Sequence, residues 1–436
     1  MEYDLLENRE FEDWLVKLRR EFHRYPEPGW LEYRTTVRII EELEQIGIPV
    51  IWGRDLYAAD CRLGLPEPEE DRAAVRRAIE ETKREDLIAG MAGGFTGVMA
   101  VIEGKQTGPA VGIRVDIDSN ELEESEAPEH RPAREGFASV HRGNMHGCGH
   151  DGHAAIGLGA ARILCANREK LGGTVYLFFQ SAEEGGRGAQ AVVKKGLLSN
   201  LDYFYGGHIG INQAPFGTIS ASTYGFMAGT KFDVEFYGRA SHAGKAPEEG
   251  ANAIAAAAGA VLNLLAISRS GKGISRVNVG KIQGGSGRNV IPDYTLLKAE
   301  TRGGSPEVSA YMFERAMSVC RGAAQMYGCD MNCRIMGESR NAECDGEMVR
   351  FVERSAAELR EIKEIIPASD MGAGENITFM MNEVSRQGGQ ATFMLLGADI
   401  KAPHHSSTFD FDERVIPLAA RLFAKLALDL KSEKRK

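Results

Sequence analysis

Four short segments carry side chains of the kinds that bind metals and move protons. The first is Cys148-Gly-His150-Asp151, inside the run His146 to His153. Glycines on both sides of Cys148 let the backbone turn tightly, so a thiolate and an imidazole can be aimed at one point. The second is Glu183-Glu184, directly after an apolar, strand-like run. Two adjacent carboxylates in a dry pocket do not both stay ionised unless cations are near. The third is His208, within Gly-Gly-His-Ile-Gly, and the fourth is His404-His405, after the apolar run Thr392 to Gly397. Cysteine, histidine, glutamate, histidine and histidine form a suitable set for two divalent metals sharing a water. Mixed sulfur, nitrogen and oxygen donors suit zinc or manganese better than magnesium or calcium. One of Glu183 and Glu184 is expected to hold metal and the other to move protons, because an attacking water needs a base in reach and a leaving amine needs the proton returned. Each segment alone has an ordinary structural reading, a satisfied histidine or a solvated acidic pair. Their coincidence is what argues for chemistry.

The elements that must position them follow from periodicity. Residues 9–24 and 31–46 repeat apolar side chains at helical spacing, and Pro26 and Pro28 separate the two helices. Residues 66–86 read as an exposed, charged helix. The runs 96–102 and 110–117 are nearly continuous apolar stretches, as in central strands buried on both faces. Residues 119–142 are polar and read as a long loop. A helix is expected over 153–166, a strand over 174–180 ending at Glu183-Glu184, a helix over 187–197, and a strand near 203–207 ending at His208. Alternating strands and helices predict an α/β sheet with its polar site residues at strand ends. Asp116 and Asp118 sit at the end of the 110–117 strand, where each either orients a ligand histidine or caps a turn.

The pattern changes after residue 222. Strands over 229–238, 275–283, 294–302 and 329–336 alternate with helices over 248–268 and 306–327, the split β-α-β plan of a ferredoxin-like α+β domain. This predicts an inserted domain at 224–336, flanked by the two parts of a first domain at 1–223 and 337–436. The tail Lys431 to Lys436 is charged and expected to fray.

Composition narrows the class. The chain has 436 residues, 43% hydrophobic and 26% charged, which fits two folded domains or one large domain with an insertion. Its formal charge of −10 argues against a nucleic-acid surface. No apolar run reaches the ~20 residues needed to span a bilayer, and the acidic start lacks the order of a secretory signal. Seven scattered cysteines point away from a disulfide framework and toward a reducing cytoplasm. Cys329 and Cys333 are close enough to suggest a metal pair, but no matching second pair follows.

These residues carry a resemblance. Met145 to His153 reads Met-His-x-Cys-Gly-His-Asp-x-His, Gln180 to Glu184 reads Gln-x-Ala-Glu-Glu, and His208 to Gly210 reads His-Ile-Gly. Ser241-His242-Ala243 and Asn289-Val-Ile-Pro292 follow. The chain resembles, end to end, the aminoacylase/glutamate-carboxypeptidase family of two-metal amidohydrolases, in the branch with plant auxin-conjugate and bacterial hippurate hydrolases. Gly93 to Gly97, Glu135 to Ser139, Ser275 to Gly280, Gly284 to Pro292 and His404 to Glu413 narrow the resemblance to members acting on p-aminobenzoyl-glutamate.

The resemblance implies a two-domain metallo-amidohydrolase, with a mixed-sheet catalytic domain and an inserted lid and dimerisation domain. It implies two Mn2+ or Zn2+ ions per subunit, held by Cys148, His150, Glu184, His208 and His405, with Glu183 as general base. It implies that His242 reaches a partner subunit's site and stabilises the oxyanion, and that Asn289, Arg302 and Arg288 bind the substrate carboxylate. The expected substrate is an N-acyl amino acid, p-aminobenzoyl-glutamate first, and the expected assembly is a dimer with itself or with a paralogous B subunit. The open alternatives are another auxin- or hippurate-type conjugate, or a non-catalytic partner of a paralogous hydrolase. From the residues alone, Arg302 reads equally as a salt-bridge partner and His242 as a plain loop histidine. The chain departs from the family in reading Asp116-Ile-Asp-Ser-Asn-Glu121 where relatives carry Asp-Met-Asp-Ala-Leu-Pro, and Ser406-Ser407 where many carry Asn-Pro.

Overall fold

The computed structural model describes residues 3–430, so the expected fraying of Lys431–Lys436 lies outside the described residues. The chain forms two compact units: Met1–Tyr224 with Ala342–Met371 and Asn376–Lys436, and Gly225–Asn341 with Gly372–Glu375.

The first unit begins with helix α1 (Arg9–Arg24), capped by Asn8, whose side chain accepts from Phe11 N. Its apolar stripe, Phe11, Leu15, Leu18 and Phe22, is buried. Strand β1 (Val50–Trp52) is followed by helices over Pro68–Thr82 and Glu85–Met91, then β2 (Val98–Glu103) and β3 (Gln106–Asp116). Helix α2 (His150–Ala166), β4 (Gly172–Gln180), β5 (Tyr203–Ile209) and β6 (Thr218–Ser220) complete the first stretch.

The second unit runs β7 (Ala228–Tyr237), α3 (Ala253–Leu265), β8 (Ser275–Gly284), β9 (Tyr294–Gly303), α4 (Pro306–Met326) and β10 (Asp330–Ser339). Its sheet order is β8-β9-β7-β10, with every neighbouring pair antiparallel. That is the β-α-β-β-α-β order read from the periodicity. Phe232, Val234, Phe236 and Leu297 pack in one core with Ala256, Ala260, Met312 and Cys320 of α3 and α4. Cys329 is part of this core and Cys333 packs against it. The unit extends to Asn341, beyond the expected 336, because β10 continues to Ser339.

The chain then returns to the first unit with β11 (Glu364–Ile366), α5 (Ile377–Arg386), β12 (Gln390–Leu396) and α6 (Val415–Asp429). The large sheet has eight strands in the order β1-β2-β4-β3-β5-β12-β6-β11. Its centre, β4, β3, β5 and β12, is parallel, and the β1–β2, β2–β4 and β12–β6 pairs are antiparallel. Parallel strands put their C-terminal ends on one edge, so the segments after β3, β4, β5 and β12 emerge together. Helix α2 lies against this sheet and α6, and two glycines allow it. A Cβ on Gly157 would stand 2.7 Å from Phe179, and one on Gly159 would stand 2.8 Å from Ala420.

Three local expectations are refined. The helix after the cysteine loop starts at His150 rather than 153, because Gly149 takes a left-handed conformation (φ +90°) and lets the chain enter the helix early. The strand expected to end at His208 runs one residue further, to Ile209. The polar stretch 119–142 is a long loop interrupted by a short helix, Arg131–Glu135, and it buries Glu124, His130, Phe137 and His141.

Candidate metal centre

At the C-terminal edge of the parallel strands, four groups of ligand-type side chains overlap: Cys148, His150 and His208; Cys148, Glu184 and His405; His150, Glu183 and Glu184; and Asp116, His150 and His153. Within each group the ligand atoms lie within 4.8 Å of one another. The two central histidines are oriented by backbone. His150 turns Nδ1 to the carbonyl of Asp118 at 2.9 Å and to its carboxylate at 3.2 Å. His208 turns Nδ1 to the carbonyl of Ile209 at 2.9 Å, leaving Nε2 3.5 Å from Cys148 Sγ. Asp118 also accepts from the Glu184 N–H at 2.9 Å, so one carboxylate fixes both a histidine and the acidic turn. His153 is spent within the structure: it faces Asp116 with Nδ1 at 2.5 Å and accepts from Ile209 N with Nε2 at 3.0 Å. Asp116 and Asp118 therefore both orient histidines.

The pair His404-His405 separates here. His404 Nε2 meets the Ile209 carbonyl at 2.9 Å, and its ring lies 4.6 Å from that of Phe409. His405 has a left-handed backbone (φ +63°), held by its N–H to the Gly147 carbonyl at 2.8 Å, and its Nε2 stands 3.1 Å from Glu184 Oε1. The geometry puts His405, and not His404, with Cys148 and Glu184.

Burial and neighbouring charge set the protonation states. Burial, then the Glu184 carboxylate, push the Cys148 thiol well above its ordinary range. Burial opposes charge on His150, but Asp116, with the Asp118 carboxylate at Nδ1, outweighs it and holds the imidazolium form well above the usual value. Burial, with His153 beside it, keeps His208 neutral. Glu184 is partly exposed; against desolvation, its bond to His405 and the nearby His150 bring its carboxyl down to about 2. Asp116 is likewise held well below the carboxylate range despite burial, by Arg114, His150 and His153. Acids, imidazoles and a thiol crowded into one buried place need an added positive charge to release their protons together.

Sequence reasoning missed the charged scaffold beneath these groups. Asp151, beside His150, accepts Arg19 Nε at 2.8 Å and meets His23 Nδ1 at 2.8 Å. Arg114 is buried in β3, where it donates to Gln180 (2.9 Å), Asp116 (2.8 Å) and Asn376 (3.2 Å). The available signal was an arginine in the middle of a run otherwise read as buried on both faces.

In the second unit, a two-residue ladder pairs His242 with Val290 and Ser241 with Ile291, and Ala243 N donates to the Asn289 carbonyl at 3.0 Å. His242 Nδ1 accepts from the N–H groups of Gly244 and Lys245, which leaves the ring proton on the exposed Nε2. Arg288 and Asn289 are exposed on the same turn. Arg302 is on β9, in a two-pronged ion pair with Glu300 at 3.0 and 3.1 Å. It is thus a salt-bridge partner in this structure.

Residues 112–429 match the family described as Peptidase family M20/M25/M40. The chain belongs to this family. This M20-family chain is therefore a metal-dependent hydrolase. It is 43% identical to the indole-3-acetyl-aspartic acid hydrolase of Enterobacter agglomerans, over 95% of each chain. It is also 43% identical to the A-type subunit of the p-aminobenzoyl-glutamate hydrolase of Escherichia coli (strain K12), over 94% of each. Among solved structures, the aminobenzoyl-glutamate utilization protein of Klebsiella pneumoniae superposes with a TM-score of 0.84 at 37% identity, covering 98% of both chains. A Bacillus subtilis protein described as a dinuclear metal binding peptidase from the M20 family superposes at 0.66 with 26% identity, covering 97% of this chain and 98% of that one.

Proposed function

We propose that this M20-family chain is a two-metal amidohydrolase that separates an aromatic acyl group from an acidic amino acid. We take p-aminobenzoyl-glutamate, giving 4-aminobenzoate and glutamate, as its substrate. One observation carries the reading: Cys148, His150, Glu184, His208 and His405 converge from four distant segments beside Glu183. The fit to cations rests on the donors themselves. His150 Nε2 is buried without a hydrogen-bond partner, and a buried thiol faces an imidazole nitrogen. Those five residues would hold two ions, manganese or zinc, and the Bacillus subtilis relative supports the number. Bound there, divalent ions supply Lewis-acid charge that acidifies water and polarises an amide carbonyl.

Glu183 takes the proton of the attacking water and returns it to the departing amino-acid nitrogen. Asp116 and Asp118 keep His153 and His150 in their tautomers. In this reading the Gly225–Asn341 unit is a lid and dimerisation domain, and residues 1–223 and 337–436 form the catalytic part. His242 of a partner copy donates its Nε2 proton to the developing oxyanion, which suits a ring whose Nδ1 is already an acceptor. Asn289 and Arg288 hold the substrate's α-carboxylate. Arg302 joins them only by exchanging Glu300 for substrate. The partner is a second copy or a B subunit, the latter supported by relatives whose names mark them as one lettered subunit of a hydrolase. A reducing cytoplasm suits seven unpaired cysteines, and no helix of the described residues is long and apolar enough to cross a membrane.

The Enterobacter relative supports a second substrate, indole-3-acetyl-aspartate. Both substrates join an aromatic acyl group to a dicarboxylic amino acid. Steady-state kinetics on p-aminobenzoyl-glutamate, indole-3-acetyl-aspartate and benzoyl-glycine test the choice. The expected order puts p-aminobenzoyl-glutamate first in kcat/KM. A preference for benzoyl-glycine would overturn it, and metal-loaded chain with no turnover on any of the three would favour a scaffold role.

A further inference from the structure

The turn that presents Glu183 is held in an unfavourable backbone shape. Ala182 has a left-handed conformation (φ +55°), uncommon for a residue with a Cβ. Such a conformation persists only when its surroundings over-determine it. Its N–H donates to the buried Glu32 carboxylate at 2.8 Å. Its carbonyl accepts from Arg187 N at 3.2 Å, Gly188 N at 2.8 Å and the side-chain amide of Asn376 at 3.3 Å.

Asn376 stands at the start of α5, is buried, and uses every polar atom it has. Its Nδ2 donates to the carbonyls of Ala182 and Glu183, at 3.3 and 3.4 Å. Its Oδ1 accepts from Arg114 at 3.2 Å and from Gln180 at 2.9 Å. Its backbone N–H donates to Glu183 Oε1 at 3.2 Å. Arg114 in turn holds Asp116, which faces His150 and His153. One residue thus holds the Glu183 carboxylate through its backbone N–H, and through its side chain the turn beneath that carboxylate and the arginine behind the histidine cluster.

We propose that Asn376 is a positioning residue for proton transfer: its side chain fixes the turn that aims the Glu183 carboxylate, and its backbone N–H, held in place by that side chain, gives the carboxylate a neutral donor. The inference rests on Glu183 being the group that moves the proton. Asparagine suits the place because it gives and accepts at once. Aspartate, the same shape, can still accept from Arg114 and Gln180. It would, however, set a negative oxygen against two carbonyls and beside Glu183, making Glu183 harder to ionise.

The test compares the full-length wild type with Asn376→Asp, Asn376→Ala and Glu183→Gln, all metal-loaded. The readouts are metal content, kcat, KM and the pH profile of kcat/KM. Asn376→Ala is expected to lower kcat by about tenfold or more, with KM and metal content little changed. Asn376→Asp is expected to move the acidic limb of the profile upward by about half a pH unit or more. If Glu183→Gln keeps its turnover, the assignment of Glu183 fails and the inference with it. If Glu183→Gln is inactive while the Asn376 variants keep the wild-type kcat and limb, the inference alone is overturned. Should Asn376→Ala not fold, the isosteric Asn376→Asp decides: an unmoved limb overturns the inference.

Discussion

At the scale of residues, adjacent histidines have opposite duties, and the difference is a single backbone torsion. His405 enters the left-handed region and swings its imidazole to Glu184, while His404 stays on a carbonyl and against Phe409. His405→Ala is expected to lose at least one metal equivalent and about a hundredfold or more in kcat. His404→Ala should keep both metals and instead cost about 1–3 kcal/mol in urea unfolding, because it removes packing against Phe409 and one of the two imidazole donors to the Ile209 carbonyl. Equal metal loss in the two variants would contradict the separation. The ligand types were legible in the sequence because cysteine, histidine and paired glutamates are chemically marked. The choice between His404 and His405 was not legible from spacing, since it turns on a φ angle that the Gly147 carbonyl stabilises across more than 250 residues. Asn376 was silent for the same reason: its partners Arg114, Gln180, Ala182 and Glu183 are remote in the chain.

At the scale of elements, hydropathy located the strands and helices and read 119–142 as a long loop, but it did not show how much of that loop is buried. It is polar yet held tightly. Glu124 meets His23 at 2.9 Å and His130 at 2.7 Å, and accepts from Ser139 N at 2.6 Å. Buried charges that neutralise one another look like solvated loop in a hydropathy reading. This network ties α1 and 119–142 to the cysteine loop through Asp151, and to the last segment through Arg19, which also pairs with Asp410 and Glu413. Arg19→Met should destabilise by about 3–5 kcal/mol in urea, because three carboxylates lose their shared cation. A cost under ~1 kcal/mol would mean the network is dispensable.

The same network sets an acid limit. Against burial, His130 and His23 hold the Glu124 carboxyl at about 2, below its ordinary 4.5. A depressed carboxyl adds stability that is complete above 4.5 and is lost as pH falls toward 2. The contribution is on the order of 3 kcal/mol. His23 adds the opposite slope: burial and Arg19 work against its charge, but Asp151 and Glu124 raise it above 6.5, so its share is complete below 6.5 and lost as pH rises past its own value. Thermal melts of Glu124→Gln should depend less on pH between 4.5 and 2 than those of the wild type; parallel slopes would contradict the assignment.

For the whole molecule, the two-unit plan and the β-α-β-β-α-β order were readable because helix and strand periods alternate cleanly. The return of Gly372–Glu375 to the second unit was not, since four residues carry no periodic signal. If a site is completed by His242 of a partner copy, mixing inactive Glu183→Gln with inactive His242→Ala chains, after exchange of protomers, should restore about a quarter of wild-type activity. No recovery would confine each site to one chain. The convergence of remote side chains on two cations is read directly as metal content per chain, by elemental analysis, alongside p-aminobenzoyl-glutamate turnover through chelation and re-addition. That convergence requires two manganese or zinc ions per chain, loss of turnover with the ions, and recovery on their return. A chain that carries no divalent ion yet turns over substrate, or one whose turnover survives complete chelation, would contradict it.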